Sequence, residues 1–77
     1  MKKYTIKSTS EDGVYYLVNG WSKCKTFWFN EKSVMEDKEN ANRFFFNKPS
    51  QAKASLTKLL KVMEEYKDDT FELVKFE

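Results

Sequence analysis

The chain has 77 residues, of which 40% are hydrophobic and 34% are charged, with a formal net charge of +2. This size fits a single domain, residues 1–77, near the lower limit for one core, and the composition excludes a fully disordered chain. A membrane-spanning helix needs about 20 apolar residues, and every apolar run in this sequence is far shorter. The first residues of the sequence also lack an apolar stretch of signal-peptide length. One cysteine, Cys24, cannot form an internal disulfide. We therefore expect a cytoplasmic protein with no membrane partner.

The residues on which most enzymes depend are scarce. There is no histidine, and the two glycines, Gly13 and Gly20, are too isolated to form a phosphate-binding loop. Without a histidine to activate it, Cys24 is a poor nucleophile, and no conventional zinc site can form. Paired carboxylates lie in charged segments, where they are ordinarily solvated. We predict a protein that is not an enzyme, with no catalytic residues, no metal site and no cofactor.

The first part of the chain has the pattern of β-strands. Residues 2–8 alternate in polarity, with Tyr4 and Ile6 on one face, which predicts a half-buried strand. A segment rich in turn formers follows and ends at Gly13. Residues 14–18 are all β-branched, aromatic or leucine, which predicts a second strand.

A hairpin is predicted at Asn19-Gly20, which separates two apolar runs. Both residues tolerate positive φ, as a two-residue type I′ turn requires. In that register Val18 faces Trp21, and Tyr16 faces Lys23. The third strand would then run on through the aromatic residues at 27–29, with a bulge or bend between 23 and 26.

The second part of the chain predicts one long helix. Ser33 and Glu36 have the spacing of a capping box, which indicates a helix start, but the apolar spacing after them is poor. Residues 30–42 therefore predict only a short helix or an ordered loop. Residues 44–46 predict a short extended segment that enters the core. Pro49 suits a first helical turn. The predicted helix continues to about Tyr66 and has an apolar stripe of Ala52, Leu56, Leu59, Leu60, Met63 and Tyr66. A last strand is predicted from Thr70 to Phe76.

These elements predict an α+β fold. Their order is β-β-β, a short element, α and β. We expect one antiparallel four-stranded sheet that is covered on one face by a single amphipathic helix, which is the simplest two-layer arrangement.

The aromatic content is the main indication of function. Four tyrosines, seven phenylalanines and two tryptophans are many for one covered sheet face. Strand bends and residues 44–46 could bury nearly all of them; alternatively, some form an exposed surface for a partner protein or for stacked bases. We favour the exposed surface. The predicted partner-binding residues are Tyr16, Trp21, Lys23, Lys25 and Trp28, with a secondary basic helix face at Lys53, Lys58 and Lys61.

Several short patterns support a resemblance. They are Tyr4-x-Ile6, residues 16–21, Ala41-x-x-Phe44, Ala52-x-x-x-Leu56 and residues 71–74. With these, the chain resembles small proteins encoded by bacteriophages and integrated elements, some of which inhibit host defence, including anti-CRISPR proteins. The resemblance implies a phage or mobile-element factor that binds and inhibits a host protein or ribonucleoprotein complex in the bacterial cytoplasm. The alternatives are a single-stranded nucleic-acid-binding module and a self-associating protein such as a homodimer.

Overall fold

The computed structural model describes residues 3–21, 26–63 and 69–76. The predicted α+β class is confirmed, with one four-stranded antiparallel sheet and helices around it. Within the described ranges, no helix has the length and apolar character that a membrane crossing requires. The elements in chain order are β1 (Lys3–Ser10), β2 (Gly13–Leu17), β3 (Trp28–Asn30), α1 (Glu31–Glu36), α2 (Lys38–Asn42), α3 (Pro49–Val62) and β4 (Thr70–Phe76).

The sheet has the strand order β3-β2-β1-β4, so the last strand of the chain pairs with the first. β4 has the bounds that the sequence predicts, and it runs antiparallel to β1 with Ile6 opposite Leu73. The tight turn of the sheet joins β1 to β2, where Ser10 pairs with Gly13. Gly13 has a φ of 136°, a conformation that favours glycine.

The predicted hairpin at Asn19-Gly20 is wrong. Tyr16 pairs with Phe29 rather than with Lys23, and the Val18 amide donates to the Phe27 carbonyl over 2.9 Å. A longer connection therefore joins β2 to β3, although the chain does turn at Gly20, whose φ is 76°. The bulge or bend predicted between residues 23 and 26 involves residues 23–25, which lie outside the described ranges.

Contacts outside the sheet explain why the chain departs from this hairpin. The Asn19 amide donates to the Phe44 carbonyl over 2.7 Å, so the backbone leaves the β2 ladder directly after Val18. Trp21 is buried and bonds to a side chain of α3. These long-range contacts outweigh the local preference of Asn-Gly for a tight turn.

α3 packs against the sheet. It begins at Pro49, and its apolar side packs on Ile6 and Leu17. It ends at Val62, because the cap residue Met63 has a non-helical φ of −124° and ψ of 79°, so the predicted helix end near Tyr66 is wrong. The buried residues of this first core are Ile6, Leu17, Trp21, Phe46, Ala52 and Leu59.

The opposite face of the sheet is covered as well, so the predicted one-sided cover is wrong. A second core of Tyr16, Val34, Ala41 and Phe45 lies on this face, because side chains alternate between the two faces of each strand. The segment from α1 to Phe46 supplies its cover. Both of its short helices have side-chain caps: Asn30 accepts from the Ser33 amide and Asp37 from the Asn40 amide. The first cap is therefore Asn30, and not Ser33 as predicted.

The segment at 44–46 enters the core, but the prediction that it is extended is wrong for its first two residues, which lie in a turn and a bend, whereas Phe46 forms a β-bridge with Tyr4. Phe46 exchanges two backbone hydrogen bonds of 2.8 Å with Tyr4. Phe45 is buried in the second core and Phe46 in the first, while Phe44 remains exposed. This segment thus connects the two cores where it pairs with β1, beyond the part of β1 that pairs with β2.

We predict that Leu59→Ala lowers the free energy of unfolding by about 2–5 kcal/mol, because Leu59 is fully buried on the sheet-facing side of α3. Val62 is on the same helix but 64% exposed, so Val62→Ala is the matched control and should change stability by less than about 0.5 kcal/mol. Urea denaturation of both variants checks this. Equal losses would contradict the assignment of the core face.

Candidate partner-binding groove

Tyr16 does not belong to an exposed aromatic surface. It is only 4% exposed and lies in the second core, where its ring meets Phe76 edge to face with centroids 5.6 Å apart. The pKa of the Tyr16 hydroxyl is raised above its usual value of 10.0, mainly by burial and to a smaller extent by the nearby Glu31 carboxylate. The prediction that Tyr16 offers an exposed contact is wrong, because α1 and α2 cover its side of the sheet.

Trp21 is a core residue of the other face. It is 7% exposed, and its indole Nε1 donates to the Ser55 hydroxyl over 2.9 Å. The ammonium of Lys58 lies 5.9 Å from the centre of the indole ring. Trp21 therefore anchors the β2–β3 connection to α3, and the prediction that it is an exposed contact is wrong. Lys23 and Lys25, which were predicted to flank it, lie outside the described residues.

Trp28 is the predicted aromatic contact that remains accessible. It is half-buried on β3 and stacks on Phe71 with ring centroids 6.1 Å apart and an interplanar angle of 15°. It also lines a groove of about 540 Å³, which we call the Trp28 groove. The described residues that line this groove are Ser8, Ser10, Asp12, Tyr15, Phe27, Trp28 and Asp69.

The groove lies on the sheet face that α3 packs against, beyond the part that the core fills. Ser8 is paired with Tyr15 on one side and Phe71 on the other, two residues along β1 from the buried Ile6. Because side chains two residues apart share a face, Ser8 and Tyr15 continue the face of Ile6 and Leu17. Within the part of the chain that the structure describes, the apolar core ends before this position, and the groove lies beyond it.

Among the described residues, the charges that line the groove are negative. Asp12 is in the β1–β2 turn, and Asp69 immediately precedes β4; both carboxylates line the groove, and no lysine or arginine does so among the described residues. Nor does any described residue form an ion pair or a side-chain hydrogen bond with either carboxylate. The described residues also contain no group of three or more side chains that could hold a metal ion.

The predicted basic face on α3 is exposed but is not gathered into one site. Lys53, Lys58 and Lys61 are all exposed. Only Lys58 lines a second groove, also of about 540 Å³, that runs beside Trp21 along α3. Its described lining residues are Asn19, Gly20, Trp21, Phe46, Asn47, Gln51, Ala54, Ser55 and Lys58.

Sequence reasoning missed most of the Trp28 groove. Tyr15, Asp12 and Asp69 come from three separate segments, and only the strand register brings them together. One signal was available. In the sequence, Asp69 belongs to a run of acids at the end of the predicted helix, where negative charge would oppose the helix dipole, and such local costs are common at functional sites.

Comparison with known proteins adds no family assignment. No protein-family model matches the chain, and no curated protein or solved structure matches it at a significant level. The function is therefore argued from the geometry alone.

We predict that the stability of the fold decreases above about pH 10 through Tyr16. The unfolded chain releases the tyrosine proton near its usual pKa of about 10. The folded chain retains it longer because its pKa is raised, so the folded state binds more protons there and loses relative stability as the pH rises.

Denaturation between pH 9 and 11.5 tests this, with Tyr16→Phe as the variant that lacks the ionisable hydroxyl. Its stability should depend less on pH than that of the wild type. Glu31→Gln should lie between the two, because it removes only the charge contribution. An unchanged pH dependence in Tyr16→Phe would contradict the assignment.

Proposed function

We propose that the protein is a non-enzymatic binding protein whose partner is another protein, and that the Trp28 groove is its contact surface. The observation that carries this proposal is the juxtaposition of Tyr15, Phe27 and Trp28, all only half-buried, in one groove. Aromatic side chains are enriched among the residues that dominate the energy of protein interfaces. A groove of about 540 Å³ also lies within the size range of binding sites.

The separation of aromatic and basic residues favours a protein partner over nucleic acid. Single-strand binding requires a positive groove that follows the phosphates and aromatic rings on which bases stack. In this chain the accessible rings of the Trp28 groove are accompanied by Asp12 and Asp69, which repel phosphate. The second groove, which runs beside α3 and is lined by Lys58, contains Trp21, but that ring is 7% exposed and gives little stacking surface.

The narrower expectation, inhibition of a host complex by a phage or mobile-element protein, rests on the sequence resemblance and stays a prediction. Anti-CRISPR activity likewise rests on the resemblance, whereas a cytoplasmic location is a prediction from the composition of the chain. The groove supports the binding step of such an activity. It would serve equally for any protein partner of matching shape and charge.

Site-specific photo-cross-linking tests the proposal. Tyr15 is replaced by p-benzoylphenylalanine, which keeps an aromatic ring in the groove, and Thr57 is replaced in a matched control on the exposed side of α3. We expect irradiation in a cell extract to give a protein adduct from position 15 that survives nuclease treatment and is absent at position 57. The adduct protein is then purified, and its affinity for the wild type and for Tyr15→Ala is measured.

A loss of more than about tenfold in affinity for Tyr15→Ala, with an unchanged melting temperature, supports the groove as the contact surface. Adducts that form only at position 57 and disappear with nuclease would contradict the proposal in favour of nucleic acid. Adducts of the chain with itself would contradict it in favour of self-association.

A further inference from the structure

We infer that the Trp28 groove receives a cationic side chain, arginine or lysine, from the partner protein. This inference rests on the proposed function, and it adds the chemistry that the groove selects. Two features of the groove lead to it independently: the aromatic walls and the two carboxylates.

The aromatic walls suit a cation. The faces of aromatic rings carry negative charge density, and a guanidinium or ammonium group within about 6 Å of a ring centre is attracted to it. Tyr15, Phe27 and Trp28 all line the groove, from β2, the β2–β3 connection and β3. They also provide apolar surface for the aliphatic stem of an arginine or lysine side chain.

The two carboxylates are brought to the same end of the sheet by the strand register. Asp12 lies in the turn closed by the pair Ser10–Gly13, and Asp69 directly precedes Thr70, which pairs with Thr9. Because β2 and β4 flank β1, these two acids lie at one end of the three neighbouring strands. A cation between them would gain charge-assisted hydrogen bonds, which are stronger than neutral ones.

Charge complementarity disfavours other occupants. An anionic group would be repelled by Asp12 and Asp69. A fully apolar segment would remove both carboxylates from water without giving them a partner, which is costly. A cationic side chain can interact favourably with both the aromatic rings and the carboxylates.

The inference is tested by nuclear magnetic resonance titration of the isotope-labelled protein with a synthetic peptide. The peptide has one central arginine among glycines and serines, and in the control peptide citrulline replaces the arginine. Citrulline has nearly the same shape but no charge. The indole signals of Trp28 and Trp21 serve as probes in one spectrum, because Trp28 lines the groove and Trp21 is held in the core by Ser55.

We expect the arginine peptide to shift the Trp28 indole and the backbone amides of Asp12 and Asp69, with little effect on Trp21. The citrulline peptide should bind about tenfold or more weakly. The variants Asp12→Asn and Asp69→Asn should each weaken the arginine peptide while leaving the melting temperature nearly unchanged. Thr57→Asn, on the exposed side of α3, is the matched control and should have no effect on binding.

The outcomes separate this inference from the proposed function. Equal binding of both peptides in the groove would overturn the cation inference and leave the groove as a contact surface. Shifts confined to Trp21 and Lys58 would overturn both. Absence of any shift with the arginine peptide would overturn the cation inference, while the cross-linking result at Tyr15 decides the proposed function separately.

Discussion

Burial of both faces of one small antiparallel sheet is the constraint on which the rest of the structure depends. With four strands and a short chain, apolar side chains are needed at both odd and even strand positions, since successive residues point to opposite faces. The first face carries Ile6 and Leu17, and the second carries Tyr16, against which Phe45 packs. This requirement explains why aromatic residues are dense in the sequence, and why most of them are structural.

The accessible site follows from where that cover ends. The core under α3 includes Ile6, but Ser8, two residues further along β1, already lines the open groove together with Tyr15. Among the described residues, the cover therefore leaves one part of one face accessible. The described charges are divided in the same way: lysines are exposed on α3, whereas Asp12 and Asp69 line the groove. A single chain with a small net charge thus presents two surfaces of opposite sign.

Local patterns predicted what depends on local physics. The bounds of β4 and the first residue of α3 follow from alternation and from proline at a first helical turn. The hairpin at Asn19-Gly20 failed because Trp21 gains more by packing on α3, a contact that no local window contains. The second layer was missed because α1 and α2 are too short to show helical periodicity. Of the predicted contact residues, Trp28 lines the groove, whereas Asp12, Tyr15 and Asp69 meet there only through the strand register.

Fluorescence quenching by ions of opposite charge tests the central claim most directly, that one tryptophan is in the core and the other lies in an acidic groove. Two single-tryptophan proteins, Trp21→Phe and Trp28→Phe, are titrated with caesium and iodide after thermal melts show that both fold. The account predicts that Trp28 is quenched more strongly than Trp21, and by caesium more than by iodide, because Asp12 and Asp69 line its groove. Trp21, which is buried beside Lys58, should be quenched weakly and not preferentially by caesium. Equal quenching of the two residues, or a preference of Trp28 for iodide, would contradict the account.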